Sequence, residues 1–195
     1  LLTAALCLVP LANLFRLSYG QISPDLFTQA VGRSTLNTIA ISLLVTFFSL
    51  VIGTFCAYFI MRTNLAFKYP LKSFLLYPYI IPSYLLAIGW IILANPSVGI
   101  LNRVYPFFNI YSLGGIVFVE SMFMYTFVFL NVCNVLDSMD GSLEESARMC
   151  GAKPRQIFFD VTLPLLKHTL AGSALIVFLA TVSSFGVPAM IGGPG

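Results

Sequence analysis

Ser142-Leu143-Glu144-Glu145-Ser146-Ala147-Arg148-Met149-Cys150-Gly151, followed after Ala152-Lys153 by Pro154-Arg155-Gln156-Ile157-Phe158-Phe159-Asp160-Val161-Thr162-Leu163-Pro164, is the core of the longest polar stretch in the chain, Asp137 to His168. Its local chemistry spells two short helices. Ser142 with Glu145 three residues on makes a capping box, in which the hydroxyl accepts from the third helical N–H and the carboxylate reaches back to the Ser142 N–H. Helix-forming residues run to Cys150, and Gly151 is the natural stop. Pro154 suits the first turn of a second helix, which Leu163-Pro164 is expected to end. A bare connector has no need of such organisation. Leu143, Ala147 and the Ile157 to Phe159 cluster add apolar surface that lipid does not cover, which points to a partner or a packed groove.

On either side of this hairpin the chain is built for a bilayer. Apolar residues make up 58% of it and charged residues 9%, too little polar surface to coat a water-soluble fold of this size. Apolar segments fall at about 1–17, 36–61, 73–94, 114–136 and 169–191. The last four are long enough to cross a ~30 Å hydrocarbon core at 1.5 Å per residue. In lipid the backbone must satisfy its own hydrogen bonds, so these segments are predicted to be helices, and the alternation of a membrane barrel is absent. The fold class is therefore all-α, a polytopic transmembrane helical bundle forming a single domain over 1–195. Segment 1–17 is short for a span, and the chain starts at Leu1 and ends in Gly192-Gly193-Pro194-Gly195. A bundle truncated at both ends is the expectation. Ser23-Pro24-Asp25 is a plausible start for a short helix at the outer interface.

Charge fixes the orientation. Arg62, Lys68 and Lys72 precede the third segment, and Arg148, Lys153, Arg155 and Lys167 lie between the fourth and fifth; together they hold seven of the ten Lys and Arg. By the positive-inside rule both loops are cytoplasmic. The net charge of +3 is too small to suggest nucleic acid as a partner. Cys7, Cys56, Cys133 and Cys150 share no metal-ligand or redox spacing, and they read as small hydrophobes and a thiol in a reducing loop.

The hairpin resembles the EAA motif of ABC importer permeases: Glu-Ala-Ala, three residues, Gly, nine residues, then Ile, any residue and Leu-Pro. Here it runs Glu145-Ser146-Ala147, Gly151 and Val161-Thr162-Leu163-Pro164 with both gaps intact, and Ser146 and Val161 are small departures. The resemblance implies a type I importer permease fold in a bacterial inner membrane. It makes Glu145, Ser146, Ala147, Gly151, Leu163 and Pro164 the contact with a cytoplasmic ABC ATPase dimer. It implies also an extracytoplasmic substrate-binding protein and a second permease half, in the same chain or another. No Walker phosphate loop occurs in this sequence, so ATP and Mg are expected on the partner ATPase, with no cofactor, metal or catalytic residue in this chain.

Within the apolar segments, Pro78 and Pro82 each remove a donor and crowd the preceding turn, so the third segment should kink or unwind. Such a break can line a pathway or merely pack. The run Ile81-Pro82-Ser83-Tyr84-Leu85-Leu86-Ala87 with Trp90, Gly99 and Asn102 resembles the iron(III)-type branch of these permeases. Glu120 is the one carboxylate inside a span; it is a candidate for the pathway by default, or it reaches the outer interface or caps a neighbouring helix. Asn131 and Asn134 can bond across helices or face the pathway. Ser183, Ser184 and Gly186, before Pro188, resemble a stretch that approaches the path in iron and polyamine permeases. His168, beside Lys167, reads as an interfacial anchor.

Three function classes follow. The first is the transmembrane subunit of an ATP-driven importer, with ferric iron as cargo or polyamine, thiamine or phosphonate as alternatives. A membrane-embedded enzyme would need a nucleophile and base or a metal cluster at depth, which one histidine and one carboxylate far apart do not supply. An ion-coupled carrier would use Glu120 as its coupling group.

Overall fold

The computed structural model describes residues 30–63, 65–104 and 109–192, and every regular element among them is helical. The long helices are α1 (Ala30–Arg62), α5 (Leu113–Ser138) and α8 (Leu163–Val182). Between them lie α2 (Lys68–Ile80), α3 (Ser83–Ala94), α4 (Ile100–Val104), α6 (Ser142–Met149) and α7 (Pro154–Ile157). A π-helical turn, Phe158–Thr162, joins α7 to α8, and α9 (Gly186–Ile191) follows. The chain divides into Leu1–Ile39 and Ala40–Gly195. Of the first unit the described part is the opening of α1, where the Thr38 hydroxyl donates to the Ser34 carbonyl. The packing below is that of the second. The expected segment 1–17 and the interfacial helix after Ser23 lie outside the described residues.

α1 shows why composition places this chain in lipid. Most of its inward positions are small or polar: Ser42, Thr46, Ser49, Gly53, Thr54 and Ala57 are buried, with Val45 and Ile60 beside them. Phe47, Phe48, Phe55 and Phe59 face outward. A soluble helix is patterned the other way. In a bilayer large apolar groups suit the tails, and small ones let two backbones close up. Gly53 is a point of close approach. A Cβ there would lie 2.8 Å from the Tyr125 carbonyl oxygen and 2.8 Å from the Val128 Cβ on α5.

α5 forms the centre. It begins at Ser112, whose hydroxyl accepts from the Gly115 N–H, and its Val119, Val128, Phe129, Val132 and Cys133 are fully buried. α2, α3, α8 and α9 all pack on it. Polar cross-links pin two of these contacts: Tyr125 Oη donates to the Leu75 carbonyl at 3.0 Å, and Asn131 Nδ2 to Ser173 Oγ at 3.2 Å.

Two expected spans are broken, for identifiable reasons. The segment expected at 73–94 is two helices, α2 and α3, bent by 101°. Pro78 is carried inside α2. The break comes at Ile81 (φ −85°, ψ 129°), because a residue before proline is pushed out of the helical region. The segment expected at 169–191 begins earlier and stops sooner. The long apolar run is Pro154–Val182, interrupted at Ser183–Phe185 before α9. Leu163-Pro164 therefore does not end the second hairpin helix. The π turn before it gives the Leu163 N–H the Phe158 carbonyl, five residues back, and this wider register accommodates the donor that Pro164 lacks. The expected loop 137–168 accordingly contains the first turns of α8.

Topology follows from one contact. Arg62, at the end of α1, meets Glu144 on α6, so the two basic loops lie at one end of the bundle. α5 finishes at that end and starts at the other. The bent α2–α3 pair thus carries the chain across.

Candidate functional site

The hairpin has the two-helix form its sequence spells, with a different cap. Ser142 is the first helical residue rather than the cap, and the Ser142–Glu145 capping box does not form. Asp140 does that work instead: its Oδ1 accepts from the Ser142 N–H at 3.0 Å. That backbone bond, with a side-chain bond from Ser142, holds the Asp140 carboxyl below its usual value of 3.8. At the second helix Gln156 Oε1 accepts from the Lys153 N–H at 2.9 Å, satisfying a donor ahead of α7.

Gly151 turns the chain. Its φ of +87° is the only positive value among the described residues. The Gly151 N–H donates to the Arg148 carbonyl at 2.9 Å and the Ala152 N–H to the Ala147 carbonyl at 3.0 Å. These two bonds make a Schellman motif, which needs a left-handed residue after the cap. No atom lies within 4 Å of where a Cβ would sit, so the glycine is required by conformation and not by crowding.

Of the residues assigned to ATPase contact, Glu145, Ser146, Gly151 and Pro164 are exposed, while Ala147 and Leu163 are half-buried. Leu143 and Met149 add exposed apolar surface, Met149 at 90%. The Ile157 to Phe159 cluster is divided. Ile157 is buried, Phe158 stacks edge-on against Tyr58 of α1, and Phe159 faces out under the Arg155 guanidinium, 5.8 Å from the ring centre.

Sequence reasoning passed over Glu144. It is 4% exposed; its Oε1 accepts from Thr162 Oγ1 at 2.8 Å, and its Oε2 lies 2.8 Å from Arg62 Nε. The signal was present as two adjacent glutamates on a short helix, of which one must face inward, opposite an arginine that ends a span.

The residues assigned to the translocation path are not gathered at one place. Glu120 is buried, at 1% exposure. Its Oε1 accepts from Ser184 Oγ in the α8–α9 break, and its Oε2 has no hydrogen-bond partner among the described residues. Gly186 opens α9, which packs on α3 just beyond the Pro82 break. Glu120, Ser184, Gly186 and Pro82 thus lie toward one end of the bundle. Asn131, three turns further along α5, bonds to Ser173 instead. Ser183 is exposed and Pro78 is part of α2. Cys56, Cys133 and Cys150 are free, and no cluster of three metal-ligating side chains occurs among the described residues.

Residues 49–195 match the family described as "Binding-protein-dependent transport system inner membrane component". The chain is 27% identical over 168 residues to the molybdenum transport system permease protein ModB of Escherichia coli K12, covering 83% of this chain and 72% of ModB. It is 26% identical over 179 residues to the putative ferric transport system permease protein FbpB 1 of Haemophilus influenzae, covering 89% of this chain and 28% of that protein. The ferric transport system permease protein FbpB of Actinobacillus pleuropneumoniae matches at 26% over 128 residues, 63% of this chain and 19% of the relative. The all-helical bundle with its apolar spans and the match across most of its length agree: the chain belongs to the binding-protein-dependent transport system inner membrane components, the permeases of ABC transporters.

Proposed function

We propose that this chain forms the substrate path of an ATP-driven importer in a bacterial inner membrane and takes its power stroke through the hairpin 142–164. The observation that carries the reading is the Gly151 turn. It leaves Glu145, Met149 and Leu143 exposed while the back of the hairpin is tied to α1 and to the π turn that leads into α8. The ATPase dimer holding ATP and Mg docks there through Glu145, Ser146, Ala147, Gly151, Leu163 and Pro164. A substrate-binding protein delivers cargo at the opposite end, and a second permease half completes the path. Glu120, Ser183, Ser184, Gly186, Pro78, Pro82 and Asn131 are the assigned path residues. The chain itself catalyses nothing.

Exposed Cys150, next to the hinge, supplies the test. In the assembled transporter a short thiol-reactive cross-linker on Cys150 should capture the ATPase. Capture instead by a cysteine placed at Ser112, at the far end of α5, would refute the assignment.

Ferric iron is the cargo favoured by the likeness at residues 81–87 and by the ferric relatives. A second reading, a molybdate-type oxyanion, is favoured by the longer coverage of ModB. Polyamine, thiamine and phosphonate rest on the general resemblance alone. Uptake of ferric iron against molybdate by cells expressing the transporter decides between the two ions.

A further inference from the structure

Glu144 is the buried acid of the hairpin, and its partners belong to two other elements. Burying a carboxylate is costly unless it is paired and hydrogen-bonded. Here one oxygen accepts from Thr162 Oγ1 in the π turn and the other lies against Arg62 Nε at the end of α1. The two charged side chains are 16% and 6% exposed. Nε and Nη2 of Arg62 have no aligned hydrogen-bond partner among the described residues, so charge rather than a directed bond holds the guanidinium to the carboxylate. Beside this pair, the Tyr58 ring of α1 meets Phe158 at 4.7 Å and 68°, and Phe158 meets Phe159 at 5.0 Å.

The hairpin is thereby joined to the membrane helices in two ways. α8 continues covalently from the π turn. α1 is remote in sequence and moves with the hairpin only through contacts. A polar contact that is short, largely buried and shared by three elements resists separation better than exposed apolar packing, and π turns are recurrent at working sites.

We propose that Arg62 and Glu144, braced by Thr162, form a strut that transmits displacement of the hairpin to α1. They are positioning residues: neither is assigned to ATPase contact, and neither is placed on the translocation path. The inference rests on the reading of the hairpin as the ATPase docking element.

The test uses the assembled transporter, with ATPase and binding protein, in proteoliposomes, with ferric iron and molybdate as solute probes. Complex yield, ATP hydrolysis and solute taken up per ATP are measured for Arg62→Gln, Glu144→Gln and the double variant. Arg62→Met with Glu144→Met is included because an apolar pair often replaces a buried ion pair without loss of stability. Complex yield and hydrolysis should stay near wild type while uptake per ATP falls about tenfold, the scale of a typical coupling energy between sites. The double Gln variant should be no worse than the worse single one, as expected of two halves of one contact. Wild-type uptake per ATP in any assembled variant would overturn the strut, as would effects that multiply in the double. Loss of assembly in every variant would overturn it too, by making the pair a stability element. A wild-type chain that never binds the ATPase would instead sink the docking reading beneath it.

Discussion

Replacing Gly151 in graded steps tests whether the hairpin works through its shape. The residue sits at φ +87° with no atom within 4 Å of a notional Cβ, so an added side chain meets strain without a clash inside this chain. For an L-residue the left-handed region costs about 1–2 kcal/mol, less for Asn, and more for a β-branched residue. A penalty of that size changes a local equilibrium roughly 5- to 30-fold. Gly151→Asn should therefore retain most uptake, Gly151→Ala should lose about five- to thirtyfold, and Gly151→Val should lose more, with membrane insertion unchanged in all three. Uptake by cells at matched expression, normalised to permease in the membrane fraction, is the assay. The reasoning fails if the order follows size, with Ala active and Asn inactive. That result would mean the space beside Gly151 is filled by a partner and crowding decides the outcome.

The other expectations are shorter. Gly53→Val places side-chain atoms against the Tyr125 carbonyl and the Val128 Cβ, both 2.8 Å from a notional Cβ, and overpacking of this kind costs about 1–3 kcal/mol; the thermal midpoint in detergent should drop, and an unchanged midpoint would deny the close approach of α1 and α5. Ser184→Ala removes the bond to Glu120 and should lower that midpoint, since a buried polar group left unpaired costs about 1–3 kcal/mol. Glu120→Gln keeps size and an acceptor for Ser184 and should leave that midpoint near wild type, whereas Glu120→Ala should lower it; a midpoint lowered as far by Gln as by Ala would deny the bond. Asp140→Ala should loosen the start of α6, seen as faster amide exchange across 142–146, whereas Asp140→Asn keeps an acceptor and should not. Because the folded Asp140 carboxyl titrates below 3.8, its contribution is present above that value and fades as pH falls through the lowered one; protection at 142–146, taken relative to the intrinsic exchange rate at each pH, should fall only in acid.

Much of the architecture was legible because lipid leaves few options. A backbone that must satisfy itself makes a long apolar run a helix, and the expected 36–61 and 114–136 lie within α1 and α5. Gly151 was legible because a left-handed turn after a capped helix demands that residue type. The misreadings share one cause: a side chain's local options were read without its tertiary neighbours. Ser142 has the composition of a cap, yet Asp140 two residues earlier takes the Ser142 N–H first. Leu163-Pro164 looks like a helix end, yet a π turn supplied by the five residues before it carries the helix through. Glu145 and Glu144 are identical in type, and the buried one is the one that faces Arg62 and Thr162.

The same neighbours show how the hairpin is attached to α1 and α8. α8 leaves it without a break, and α1 touches it at Tyr58 and Arg62. Both lie against α5, the most enclosed helix, but through different surfaces. α8 is bonded to it by Asn131 and Ser173, a directed contact. α1 meets it at Gly53, on a face where Val45, Ala57 and Ile60 are also buried and where Ser42 and Ser49 have no hydrogen-bond partners among the described residues. A face of small and apolar side chains permits close packing and offers little directed bonding against sliding. Movement of the hairpin end should therefore displace α1 along α5 more readily than it displaces α8, which makes the attachment at Arg62 the contact whose loss matters most.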